Sequence, residues 1–441
     1  MLKKYSKYLY VFVLVMLMTS GYFLIHNSRA IKSSNIADIR SKVWNSYIET
    51  MSNDPERKSE FENQEMQYDQ VVMKYKMFFI GDAPEGGYPL YIALHGGGTD
   101  SKELHDQQWQ SMEKYYRTSV KVGVYVAPRG VRDTYDVHSN PESYPLYDRL
   151  IENMILFANV NPNRIYILGF SAGGDGVYQI TPRMADRFAA ANMSAGHPGN
   201  VSVKNLRNLP FIIQVGEKDS AYSRHWYAAV YNMLLSDLEK SLGGYYHQTI
   251  IHYDKPHNFR DNSLARDEQT IIADIEAWYK DYNRSTTKAN TNAVDLVSEF
   301  ERNPYPEKIV WDMSTCASKR DIRSFYWIHV NNDSSRTQGE IIAHLDAKTN
   351  SIIVDSSTVY GSFTFLLNEK MLDIFKPVNF QIEDQHFKVN IKLSEKFLEY
   401  TTFERGDVNF QFPAGIVLNR ENDEWHVTGD VEELLKEDKF D

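Results

Sequence analysis

Ile165-Tyr166-Ile167-Leu168-Gly169-Phe170-Ser171-Ala172-Gly173-Gly174 decides how this chain is read. Ile165 to Leu168 is a short apolar run with the character of a buried strand. It leads directly into Gly169-Phe170-Ser171-Ala172-Gly173, a G-x-S-x-G pattern, and Asn161-Pro162-Asn163 supplies a turn just before it. In this pattern the serine occupies a sharp strand-to-helix turn, and its neighbours must be small because the two backbones nearly touch. The turn lifts the Ser171 hydroxyl out of the sheet. A serine hydroxyl is a weak nucleophile alone, so the pattern has chemical meaning only with a base, an orienting acid and donors for a developing oxyanion.

Working outward, each of these has a candidate. Phe211 to Val215 reads as a strand, and Gly216-Glu217-Lys218-Asp219 follows it. Asp219 has the spacing of an orienting acid on a loop. Glu217, closer to the strand end, is expected to point aside. Tyr245 to Tyr253 reads as the next strand, followed by Asp254-Lys255-Pro256-His257-Asn258-Phe259. His257 is the candidate base, and His252 is expected to pack within its strand. Upstream, Tyr88 to Leu94 reads as a strand that feeds His95-Gly96-Gly97-Gly98. Glycines let backbone N–H groups approach a reacting oxygen. One oxyanion donor is expected from Gly97 or Gly98 and the other from the N–H of Ala172. The thirteen histidines show no metal-ligand spacing, so neither a metal nor another cofactor is expected.

Leu94 to Gly98, Gly169 to Gly174, Gly216 to Asp219 and Pro256 to Phe259 together resemble the polyhydroxybutyrate depolymerase and feruloyl esterase branch of the α/β-hydrolases. The resemblance covers roughly residues 70–282. It implies a secreted serine esterase with Ser171, Asp219 and His257 as its triad, acting on a small-molecule or polymeric ester. The sequence departs from the family in having Pro256 where glycine often precedes the histidine. It also departs in its single cysteine, Cys316, which allows no internal disulfide. A serine peptidase on the same scaffold and an inactive binding module are the competing readings, since fold and triad do not choose the leaving group.

Secondary candidates flank these motifs. Arg129, in Ala127 to Asp133, is a candidate substrate-binding residue on the active-site edge of the sheet, with Arg132 beside it. The competing role for both is an ion pair with Asp133 or Asp136. Tyr222 and Trp226, just past Asp219, are candidate pocket residues.

Strands alternating with helices predict an α/β fold, a mainly parallel sheet covered on both faces. Expected helices include Gln108–Tyr116, Leu146–Ala158, one marked by Tyr227 to Leu238, and a last one marked by Ile271, Ile275, Trp278 and Tyr279. Asn283 to Asn292 reads as a polar surface segment or linker. From about Lys308 short β-like runs dominate, among them Ser324–Val330, Val378–Ile382 and Phe387–Leu393, which predicts a smaller β-sandwich-like unit. Phe363 and Phe365 are expected in its core. Tyr326, between Phe325 and Trp327, falls on the opposite face of a continuous strand; an aromatic exposed there can stack on sugar, but aromatics at strand spacing are usually buried, and the core is the favoured reading for these residues. This unit is expected to be non-catalytic, and either to pack on the hydrolase part or to bind a polymer.

The division is therefore 1–30, an export segment; 31–300, an α/β-hydrolase unit with a helical extension; and 301–441, the β unit. Lys3, Lys4 and Lys7 precede the uncharged run Tyr8–Ile25, the pattern of a signal peptide or of an anchor through residues 8–25. The expected location is outside the cytoplasm. A formal charge of −11 argues against nucleic acid as the partner.

Overall fold

The computed structural model describes residues 30–262, 270–316, 319–320, 322–331, 339–359, 361–421, 424–432 and 434–437. The expected export segment falls outside the described residues except at residue 30. Two helices open the described chain, α1 (Ile36–Ser52) and α2 (Pro55–Asn63). They are separated by Asn53 and Asp54. Pro55 lacks an N–H and suits the first helical position, and the Asp54 carboxylate accepts the Glu56 and Arg57 N–H groups.

The chain then builds a ten-stranded sheet. Its elements are β1 (Glu65–Tyr68), β2 (Val71–Ile80), β3 (Tyr88–Leu94), α3 (Lys102–Tyr115), β4 (Gly123–Pro128), α4 (Ser143–Phe157), β5 (Val160–Phe170), α5 (Ala172–Met184), β6 (Ala190–Ser194), β7 (Phe211–Gly216), α6 (Arg224–Leu242), β8 (His247–His252), β9 (Thr270–Ile272), α7 (Ile275–Asp281), β10 (Thr286–Lys288) and α8 (Ala293–Ser298). The strand order is β1-β2-β4-β3-β5-β6-β7-β8-β9-β10. Strands β4, β3, β5, β6, β7 and β8 are mutually parallel, with antiparallel strands at both edges. Alternation sorts the side chains. Leu90, Ile92, Ile165, Ile167 and Ile213 face α4, α5 and α6 in one apolar cluster. Tyr91, Tyr125, Tyr166, Leu168 and Ile212 face α3 and α8 in another. Both faces are covered, as the expected α/β-hydrolase architecture requires.

Two expectations near residue 280 are corrected. Ile271 lies in β9, not in a helix, and pairs with His252 of β8, so the helix begins only at Ile275. Residues 283–292 are a surface segment as expected, exposed through Lys288, but not a linker. Thr286–Lys288 adds the last strand to the sheet, and α8 then packs beneath it through Val294, Leu296 and Val297.

The remaining chain forms β11 (Lys308–Asp312), β12 (Ser324–Phe325), β13 (Ile328–Val330), β14 (Glu340–Asp346), β15 (Ser351–Ser357), β16 (Phe363–Leu367), β17 (Val378–Ile382), β18 (Gln385–Val389), α9 (Glu395–Arg405), β19 (Ala414–Glu421), β20 (Glu424–Thr428) and α10 (Leu434–Glu437). They make two five-stranded sheets, β11-β14-β15-β17-β18 and β12-β13-β16-β19-β20. Phe365 of one sheet packs on Phe380 of the other with ring centroids 5.5 Å apart, and Trp311 stacks on Phe325. Phe363 is fully buried, as expected, whereas Phe387 is only half-buried. Ser324–Val330 is not one strand. Tyr326 and Trp327 form a hairpin turn, Tyr326 has φ 52°, and its ring is fully buried with its hydroxyl on the Ala185 carbonyl. No sugar-stacking face exists there. The run Phe387–Leu393 is likewise shifted, the strand ending at Val389.

The two parts share one continuous apolar cluster and a buried ionic seam. Arg187 Nε and Arg320 Nε each donate to the Asp148 carboxylate at 2.7 Å. Arg405 pairs with Asp186 and Arg302 with Asp407, both at 2.6 Å. Burial alone would raise the Asp148 carboxyl, but Arg320 and Arg187 outweigh it and hold it at about 2.

Candidate active site

Ser171 stands between β5 and α5 with φ 60° and ψ −123°. For a residue with a Cβ this backbone costs about 1–3 kcal/mol, and it persists because the surroundings over-determine it. The Ser171 N–H donates to the Ser194 carbonyl at 2.9 Å, tying the turn to the end of β6. Gly169 and Gly173 are required by close approach. A Cβ on Gly169 would collide with the Gly173 carbonyl, and one on Gly173 with the Leu94 carbonyl.

Three expected residues come together here. His257 Nε2 lies 3.0 Å from Ser171 Oγ, and His257 Nδ1 lies 2.7 Å from Asp219 Oδ2. Asp219 is buried at the end of β7, and its carbonyl accepts the His225 Nδ1–H at 3.0 Å. Its other oxygen, Oδ1, faces Arg224 Nη1 at 3.5 Å. Glu217 does point aside. It accepts from Trp278 Nε1 and the Asp254 N–H, and it pairs with Arg284 at 2.6 Å. His252 packs as expected, stacked on Phe259 and bonded to Gln214 Oε1 at 3.0 Å. Burial lowers its pKa to about 3.

The glycine loop separates its two candidate donors. The Gly98 N–H donates to His105 Nε2 at 3.3 Å, so it is not aimed at a substrate. Gly97, with φ 153°, and Ala172 at the first helical position have no acceptor for their N–H groups among the described residues. The loop rests on three buried histidines. His105 Nδ1 donates to Asp133 at 3.0 Å. His95 Nδ1 donates to the Gly96 carbonyl, and its Nε2 accepts the Gly130 N–H at 3.1 Å. His138 Nε2 donates to the His95 carbonyl at 2.9 Å. His138 Nδ1 accepts the Tyr147 hydroxyl at 3.3 Å, so each ring of this trio donates from one nitrogen and accepts on the other, as neutral imidazole does. Burial, and then the neighbouring His138, pushes His95 far down; burial takes His138 to about 3.

Arg129 is buried and fully engaged with Asp106 at 2.9 Å and with Asp133. It has the ion-pair role that competed with substrate binding, and it braces the loop. Arg132 pairs with Glu142 at 3.0 Å. Trp226 is committed to an aromatic cluster, stacked on Trp278 with centroids 5.2 Å apart and edge-on to Tyr279. Tyr222 is exposed, has φ 55° and lies over the Arg224 guanidinium at 4.9 Å.

Two carboxyls beside the site have no counterpart among the expected residues. Asp175, one turn after Ser171, accepts the His197 N–H at 2.5 Å, and burial raises it to about 6. Asp261, four residues past His257, is completely buried and accepts the hydroxyls of Tyr115 at 2.8 Å, Tyr116 at 2.6 Å and Ser194. Burial raises its pKa against those three donors. It anchors the base-bearing loop to α3 and β6.

No family model matches the chain, and no curated protein matches its sequence. Solved structures share parts of its backbone. A thermostable esterase is 18% identical over 54% of this chain and 63% of its own, under two thirds of its length, with a TM-score of 0.37. A Butyrivibrio proteoclasticus protein with ferulic acid bound is 14% identical over 44% of this chain and 90% of its own, with a TM-score of 0.31. A substrate-bound, fluorophosphonate-binding serine hydrolase from Staphylococcus aureus is 12% identical over 53% and 96%, with a TM-score of 0.33. Likenesses this distant say nothing about the chemistry of the present chain.

Proposed function

We propose that this protein is a serine hydrolase that cleaves carboxylic esters through an acyl-enzyme. The observation that carries the proposal is the continuous hydrogen-bonded line Ser171 Oγ, His257, Asp219 on a strained strand-to-helix turn. His257 Nε2 takes the hydroxyl proton as Ser171 Oγ attacks the ester carbonyl. Asp219 fixes the ring with Nδ1–H toward itself and stabilises the imidazolium. The N–H groups of Gly97 and Ala172 receive the tetrahedral oxyanion. His257 returns the proton to the departing alkoxide, leaving an acyl group on Ser171. Water then attacks with His257 again as base, the acid leaves, and the hydroxyl is restored.

The test is labelling with a fluorophosphonate, followed by a panel of acyl esters and peptide amides. Labelling that persists in S171A, or amide turnover exceeding ester turnover, would overturn the ester reading. Export belongs to the same proposal, on the strength of the basic flank and apolar run before residue 30. Mass spectrometry of the mature N-terminus tests it, and a cytoplasmic chain starting at Met1 would refute it.

A further inference from the structure

A cavity of about 380 Å³ opens beside Ser171, between α3 and the loop that carries His257. This is the size of a small-ligand site. Gly96 lines it, and a Cβ there would sit 3.5 Å from Ser171 Cβ. Met112, Tyr115, Phe170 and Phe259 line its body. The Phe170 ring lies 5.7 Å from His257, 5.7 Å from Tyr115 and 5.2 Å from Phe259. The Tyr115 hydroxyl is turned back to Asp261, so the wall has an aromatic character. One charged side chain joins this lining, Arg260, which is exposed.

The charge of Arg260 stands apart from its neighbours. Arg129 is held by Asp106 and Asp133, Arg132 by Glu142, and Arg224 lies on Asp219. No carboxylate pairs with Arg260 among the described residues. In a chain of net charge −11, a guanidinium with no carboxylate partner among the described residues, on a cleft whose aromatic walls are joined by Gln108, Ser111 and Asn258, favours one ligand chemistry, a negative group. An uncharged alkyl or aryl limb would fill the aromatic walls and leave that cation unused.

We infer that the cavity takes the limb of the ester that carries a carboxylate, its aromatic or short aliphatic body against Phe170 and Phe259 and its carboxylate on Arg260. The inference rests on Ser171 being the nucleophile, and it names the substrate class of that site.

Two substrate pairs test it: 4-nitrophenyl hemiglutarate against 4-nitrophenyl pentanoate, and 4-acetoxybenzoate against phenyl acetate. The first places the carboxylate on the acyl side and the second on the alcohol side. The readout is the ratio of kcat/KM for the anionic ester to that for its neutral partner. In one pair the ratio is expected to fall about 3-fold in R260Q and about 10-fold in R260E, the scale of a rim ion pair and its reversal. R260K keeps the ratio, and added salt lowers it in the parent. A change under twofold in both pairs for R260E would overturn the inference while leaving the ester reading intact. Calorimetric binding of the same esters to S171A and S171A/R260E gives the answer independently of turnover. Equal affinity of the two proteins for both anionic esters would also overturn it. Absent turnover and absent fluorophosphonate labelling would instead indict the nucleophile.

Discussion

Asp148 joins the sheet-bearing part of the chain to the β-sandwich, and Asp148→Asn tests how much that junction holds. Its carboxylate receives Arg187 Nε and Arg320 Nε at 2.7 Å each, and Arg320 Nη2 at 3.1 Å. The carboxyl lies at about 2 against an ordinary 3.8. At 1.36 kcal/mol per unit this difference is about 2 kcal/mol of stability. The pKa is depressed in the fold. The contribution is therefore complete above the unfolded value, near 4, and is lost as pH falls toward 2. Removing one partner of a buried pair costs roughly 3–5 kcal/mol, because the arginines stay buried with less opposing charge. The variant should thus lose about 2–5 kcal/mol at pH 7, and the titrating share of that loss should shrink by roughly half at pH 3. The measurement is urea unfolding of parent and variant at both pH values, compared by midpoints at equal slope. A loss below about 1 kcal/mol at pH 7, or an equal loss at both pH values, would show that the pairing does not carry the seam.

S171A should fold as the parent does and lose about 10⁴- to 10⁶-fold in kcat, read as ester turnover. D219N should be somewhat less severe, and E217Q should retain most turnover, because Glu217 faces Trp278 and Arg284. G173A should fail to give a folded enzyme, since its new methyl would meet the Leu94 carbonyl; normal circular dichroism with full activity would contradict this. Asp175 is raised to about 6, so its ionisation opposes folding. Parent stability should therefore fall relative to D175N as pH rises from about 4 to about 6, followed by thermal unfolding. A chain ending at Asn303 should be insoluble, because Asp148, Asp186 and Arg187 lose their arginine and carbonyl partners. A soluble and active fragment would refute the seam's importance.

Much of the sheet could be read directly. Tyr88–Leu94 is a strand over the expected residues, since burial on both faces leaves an unbroken apolar run. Ser171, Asp219 and His257 were legible because each follows a strand that is itself legible. What escaped depends on contacts between distant residues. The capture of the Gly98 N–H requires knowing that His105, one turn into α3, points back at the loop. Asp261 looks like any loop acid until Tyr115, Tyr116 and Ser194 converge on it. Strand β9 has three residues, too few for a period. Helix α9 hides behind Phe397, Tyr400, Thr401, Thr402 and Phe403, which favour strands intrinsically. Its caps were nevertheless present, Ser394 accepting the Phe397 N–H and Gly406 closing with φ 55°.

Helix α1 rests on helix α9: Ile39 and Val43 bury against Leu398, and Arg40 reaches the Gln411 carbonyl and Glu369. A segment made early therefore has its partner 359 residues later, from Ile39 to Leu398. At ordinary elongation rates of about 5–20 residues per second, the apolar side of α1 waits roughly 20–70 s for that partner. During synthesis the exposed stripe is a natural client for a holding chaperone. Helix α9 then acts as a completion signal, and a ribosome that stops short of it releases a chain with the Ile39 and Val43 side of α1 still uncovered.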